Sequence, residues 1–326
     1  MTLEYGSAFY FIYPCLCIAL FFGLYFGLRH KNKKVQFWTL WGITMLNFVL
    51  HFVKLAFPPY VEDLPESIRK VTFENICAVS ALVFPFFMLA KKRTIFRDYM
   101  FYLGCVSGFA AMFIPLNIIG LKVYEFETIR FYICHGSLWI VPLLMVIFGI
   151  HKLDYRRIWK VPLMYFLVLL VILFNEVALM VVGWVAYDEA MEEAYELYGI
   201  TSKWEYFLST EVRNSAFIFG PPKSMEKVAQ FILVLTPEWF KPGKYIDCYM
   251  PILWEVVPVY IYGGAGMILM CLYWEHEHMA EDIRYLRDKV CKKNKRTKIK
   301  YLKRSKFARP ERRNVRGKRY KHKIKY

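Results

Sequence analysis

Two residue types in this chain invite covalent chemistry: a cysteine and histidines set inside long apolar runs. Cys77 offers a thiol that attacks carbonyl carbon as thiolate, and His135 offers an imidazole able to take its proton. That pairing suits nucleophilic acyl transfer. Carboxylates accompany it. Glu74 precedes Cys77 by three residues, which on a continuous helix puts both on about the same face. Glu176 and Glu255 are candidates to accept the second N–H of His135 and orient its ring, the task an acid performs in a triad. His51 is a further imidazole in an apolar setting, and Asn47, Asn75, Asn117 and Asn214 are donors suited to a developing oxyanion. Cys134 adjoins His135, but helix neighbours point about 100° apart, which makes it a poor partner. Cys15, Cys17, Cys105 and Cys271 read as small apolar packing residues.

Such residues need elements that can bury them. Seven apolar segments supply these: Phe9–Leu28, Gln36–Phe57, Val71–Ala90, Tyr99–Asn117, Phe131–Ile150, Val161–Ala186 and Met250–Leu272. Each is about long enough to cross a ~30 Å hydrocarbon core at 1.5 Å per residue. The expected fold is all-α, a polytopic seven-helix transmembrane bundle enclosing a polar chamber. An ionisable residue inside a span costs at least about 2–3 kcal/mol, so it turns inward and often marks function. Taking the first residue outside the membrane, Cys77 lies six residues below the outer end of its segment, about 9 Å at the helical rise. His135 is four residues below, Glu255 five and His51 six, while Glu176 is ten residues deep. Four of these groups therefore share one level, that of the outer-leaflet ester linkages. The plainer reading of any single one is a polar contact between helices.

Charge sets the orientation. The turns after the first, third and fifth segments carry Arg29, Lys31, Lys33, Lys34, then Lys91, Lys92, Arg93, Arg97, then Lys152, Arg156, Arg157, Lys160. The opposite loops hold Glu62, Asp63, Glu66 and the acidic group Asp188, Glu189, Glu192, Glu193, Glu196. The positive-inside rule gives N-terminus out and C-terminus in, a multi-pass protein of the cell membrane. The formal net charge of +17 belongs to the tail, since residues 289–326 hold nineteen Lys/Arg against Glu311 alone.

Three domains follow: a transmembrane domain over 1–272 with a long outer loop over 187–249, a cytoplasmic helical extension over 273–290, and a disordered basic tail over 291–326. The tail suits anionic lipid headgroups, or another polyanion such as RNA. Within the outer loop, an acidic stretch over Tyr187–Leu197 and an amphipathic piece over Met225–Leu235 have helical spacing and would cap the bundle. The eight cysteines form no CxxC pair, and His276/His278 spacing does not put both on one helix face. Neither a disulfide framework, a metal nor a cofactor is called for.

Several stretches fall in a recognisable order: Thr72-Phe73-Glu74-Asn75-Ile76-Cys77, Lys91-Lys92-Arg93, Phe113-Ile114-Pro115-Leu116-Asn117, Cys134-His135-Gly136, Asn214-Ser215-Ala216-Phe217-Ile218 and Thr236-Pro237-Glu238-Trp239-Phe240. This order resembles the YwaF family of bacterial integral membrane proteins, which is related to transmembrane protein 164, an acyltransferase of animals. The resemblance covers most of residues 10–270. It implies acyl transfer onto lysophospholipid, with the cysteine and histidine roles falling on Cys77 and His135. Asn75 stands where the family usually has His, and Cys134 where it has Ser. An Asn hydrogen-bonds but does not titrate as a base, so a second histidine would have to be His51.

The leading expectation is an integral membrane acyltransferase that moves a fatty acyl chain from phospholipid, through a thioester on Cys77, to a lysolipid or similar acceptor. Two rivals differ in class. A transporter would use Glu74, Glu176 and Glu255 as proton or cation sites. A receptor or scaffold would act through the basic tail, although D-R-Y and N-P-x-x-Y signatures are missing from the sequence.

Overall fold

The computed structural model describes residues 1–62, 64–90, 94–115, 118–182, 194–212, 215–243 and 248–307. The chain divides after Cys271 into two units. In the first, apolar periodicity resolves into α1 (Ala8–Leu28), α2 (Lys33–Val53, prolonged by a 3₁₀ turn over Lys54–Ala56) and α3 (Ile76–Leu89). Then come α4 (Thr94–Tyr99), a π-helical turn over Met100–Gly104, α5 (Cys105–Phe113), α6 (Phe126–Ile147) and α7 (Lys160–Val182). The long loop after α7 adds α8 (Lys203–Leu208) and α9 (Glu226–Leu233), and a last helix runs from Gly264 to Phe307 (α10) after short turns from Leu253 onward. Among the described residues there is no strand, only one isolated bridge between Thr2 and Lys122.

Among the described residues, five helical stretches are long and apolar enough to cross a membrane: Ala8–Leu28, Lys33–Ala56, Phe126–Ile147, Lys160–Val182 and Leu253–Cys291. This is a helical membrane protein. The third and fourth predicted segments take other forms. Helix α3 has only fourteen residues, about 21 Å at the helical rise, and α4 to α5 is a chain of short helical pieces broken by the π turn. The last helix also reaches beyond the predicted extension, so residues 291–307 of the expected disordered tail are helical. Residues 308–326 lie outside the described residues, as do Lys91–Arg93 and 187–193 of the acidic stretch, of which 194–197 are helical.

Helix α6 is the axis of the first unit. The most apolar window of α6 is 67% buried, against 17–28% in the other four spanning stretches. Helices α1, α2, α3 and α5 pack around it. Its closest neighbour is α5, and glycines explain why. A Cβ on Gly104 would fall 2.5 Å from the Leu138 carbonyl oxygen, and one on Gly108 2.7 Å from that of His135. Small residues four apart let two backbones meet, the usual device where no water drives helices together. Leu138, Trp139, Leu144 and Met145 of α6 are buried with Phe84, Met88 and Leu40 in the core. By contrast Phe11, Leu16, Leu20 and Phe26 of α1 and Leu163, Leu167 and Phe174 of α7 are exposed, an apolar surface that suits lipid.

Candidate functional site

Helix α3 begins late, and that determines the site. The sequence pattern carries a helix through Glu74, but Asn75 is extended and its side-chain oxygen accepts from the Ala78 N–H at 2.9 Å. Asn75 is thus the N-cap. Cys77 consequently sits in the first turn, where N–H groups have no intrahelical acceptor. Glu74 lies before the helix and not on a shared face with Cys77; it pairs with Lys70 at 2.7 Å. The Asn175 amide on α7 holds this entry stretch by donating to the Thr72 hydroxyl at 2.9 Å.

This helix start opens onto a cavity of about 690 Å³, within the size range of small-molecule sites. Cys77, His135, His51, Glu74, Asn75 and Asn47 all line it. Residue count along the last segment predicts Glu255 at the same level, but Glu255 lies elsewhere, buried, accepting from the Tyr165 hydroxyl at 3.0 Å. Glu176 is buried on α7 and likewise does not line the cavity. Asn117 and Asn214 are outside the described residues. The ring of His135 is oriented by neither carboxylate. Its Nδ1 lies 2.9 Å from the carbonyl of Phe131, one turn earlier. A carbonyl only accepts, so Nδ1 carries the proton and Nε2 of the neutral ring is left with its lone pair.

Sequence reasoning overlooked the charged rim. Arg130 grips Glu127 through its Nε (2.6 Å) and its Nη2, and the Tyr60 hydroxyl donates to the same carboxylate at 2.9 Å. Burial and the Glu127 charge push the Tyr60 phenol above its ordinary range. Lys54 is buried and donates to the Lys70 carbonyl at 2.6 Å, with its ammonium 5.1 Å from the Tyr60 ring centre. A signal existed: Lys54 lies inside the second apolar segment, and Glu127 and Arg130 are three apart just before the fifth. Cys134 also lines the cavity, with Arg130 Nη1 3.7 Å from its sulfur. Asn47 ties α2 to α6 by donating to the Ser137 hydroxyl at 2.8 Å.

The long loop after α7 contributes a wall. Ala216 and Phe217 line the cavity with φ of 55° and 60°, a left-handed conformation that side chains disfavour. Trp254 holds them there by donating from Nε1 to the Phe217 carbonyl at 3.0 Å. Among the described residues no group of three or more His, Cys, Asp or Glu is gathered to hold a metal.

The sequence model of the TMEM164 family matches residues 4–189, more than half of the chain. The chain belongs to the TMEM164 family. The match includes α1 to α7 and every wall residue of the cavity except Ala216 and Phe217. Neither the curated proteins nor the solved structures yield a match.

Proposed function

We propose that this TMEM164-family protein is a phospholipid acyltransferase working through Cys77 and His135. The observation that carries the reading is that one cavity is lined by both residues and by the start of α3, with His135 Nε2 left as the base. The Cys77 sulfur attacks the ester carbonyl carbon of a phospholipid while its proton passes to His135 Nε2. The carbon–oxygen bond to glycerol then breaks, and the departing oxygen takes that proton, leaving a lysophospholipid and a thioester. An acceptor hydroxyl next attacks the thioester, giving its proton to His135, and the sulfur leaves and is reprotonated. Two N–H groups of the α3 first turn, those of Ile76 and Cys77, suit the oxyanion of each tetrahedral intermediate.

In this reading the chain makes seven spans of the cell membrane with its N-terminus out. Residues 308–326 with the adjoining helix would adhere to anionic headgroups. Cys134 is the rival nucleophile because it lines the same wall. Incubating the detergent-purified chain with phospholipid and weighing the intact protein tests both. A hydroxylamine-labile acyl adduct lost in Cys77→Ala is the expected result. Loss in Cys134→Ser instead would move the nucleophile, and equal adducts in wild type and both variants would refute the thioester.

A further inference from the structure

Among the described residues of the cavity wall, Lys54 is the charged side chain that makes no ion-pair contact, although Glu127 and Glu74 attract it from further off. Lys70 pairs with Glu74, and Arg130 is taken up by Glu127, so the rim has three cations against two carboxylates. The ammonium of Lys54 has three N–H donors, and the Lys70 carbonyl accepts one of them. Lys54 is only 5% exposed, so bulk water does not serve the others. One turn earlier, His51 is 4% exposed, and its Nε2 has no hydrogen-bond partner among the described residues. Both line the cavity at the C-terminal end of α2. A buried cation without an ion-pair contact, beside an imidazole with one unsatisfied nitrogen, is costly to hold. An anion entering the cavity would offset that cost.

We propose that Lys54 and His51 form a phosphate-binding subsite, so that the chamber selects a glycerophospholipid over a neutral glyceride. Naming a lipid as the ligand rests on the acyl-transfer reading; the anion site itself does not. A phosphate offers several acceptor oxygens, enough for the two remaining Lys54 donors together with a His51 N–H. Arg130 adds positive field, with Nε and Nη2 held by Glu127 and Nη1 directed at the Cys134 sulfur. The ester linkages of a glycerophospholipid lie only a few bonds from its phosphate. An occupant with phosphate at Lys54 therefore has an acyl carbonyl within the same cavity that Cys77 lines.

The test is equilibrium binding to the full-length chain in detergent, with radiolabelled lysophosphatidylcholine and monoacylglycerol of the same chain length as probes. Wild type should bind the lysophospholipid at least about tenfold more tightly, the factor that about 1.5 kcal/mol of charge-assisted hydrogen bonding confers. Lys54→Met should erase that preference and Lys54→Arg should keep most of it. No preference in wild type, or an intact one in folded Lys54→Met, overturns the proposal. Should Lys54→Met not fold, the wild-type comparison decides alone. Inorganic phosphate forms the second arm: displacement of the lysophospholipid at equal concentrations would assign the site to free phosphate and overturn the lipid assignment. Cys77→Ala separates the two readings. Preference retained with no acyl adduct in wild type would sink the chemistry and leave the subsite standing; an adduct without preference would do the reverse.

Discussion

The α5–α6 contact permits a sharp prediction about how packing controls chemistry. In Gly108→Ala the new Cβ would lie 2.7 Å from the His135 carbonyl oxygen and 3.0 Å from the Leu138 Cβ, whereas ordinary contact begins at 3.4 Å. The obstacle is backbone, so no side chain can swing aside, and the two helices must part by about 0.7 Å. Overpacking of this kind costs about 1–3 kcal/mol. The residue pushed is the candidate base itself, and displacements approaching 1 Å cost on the order of 10²-fold in rate. Gly42→Ala on α2, where a Cβ meets nothing within 4 Å, is the matched control and should be neutral or slightly stabilising. Thermal unfolding in detergent and the rate of acyl-adduct formation read the two effects. Gly108→Ala melting with the control and acylating at the wild-type rate would refute the close-packing argument.

Two further outcomes follow from particular contacts. Asn75→Ala removes the cap of the helix carrying Cys77 and should cost about 1 kcal/mol, while Asn75→Ser, which also caps, should cost little; equal melting of the two variants would remove the cap from the account. Asp98, just outside the fourth segment, is buried: burial alone would raise its carboxyl, but hydrogen bonds and charge from His151 and Arg157 outweigh that and hold it below the ordinary aspartate range. The unfolded chain therefore takes up that proton at higher pH than the native one, so this stabilisation is present above the ordinary aspartate value and fades as pH falls through the lowered one. Melting temperature followed from pH ~5 down to ~2 should drop more steeply in wild type than in Asp98→Asn, and parallel curves over that range would contradict it.

Hydropathy and spacing are local properties, so they determined what depends on local physics. The apolar runs gave α1, α2, α6, α7 and the last helix, because twenty or so apolar residues must satisfy their own backbone groups in lipid. The periodicity of Met225–Leu235 likewise matches α9. Height within a span is residue count times helical rise only where the chain is helical to its end, which holds for His51 on α2 and His135 on α6 but not for Cys77, whose count runs through the non-helical stretch before Ile76.

Position around the bundle axis is not readable from residue count, and only tertiary packing decided it. Glu255 accepts from Tyr165, which lies four residues from the opposite end of the sixth segment. It is reached through a short 3₁₀ turn and not a continuous helix, so residue count misjudges its height, and it is not in the cavity wall. The start of α3 was decided by the Asn75 cap in competition with an apolar run that would have continued the helix upstream. That choice separated Glu74 from Cys77 and gave the thiol its place in a first turn. The approach of α5 to α6 required two glycines to meet two particular carbonyls. That Lys54 makes no ion-pair contact emerges only when every neighbouring carboxylate is seen to be claimed by another cation. Composition sets how many charges a chain has; folding sets which of them go unpaired.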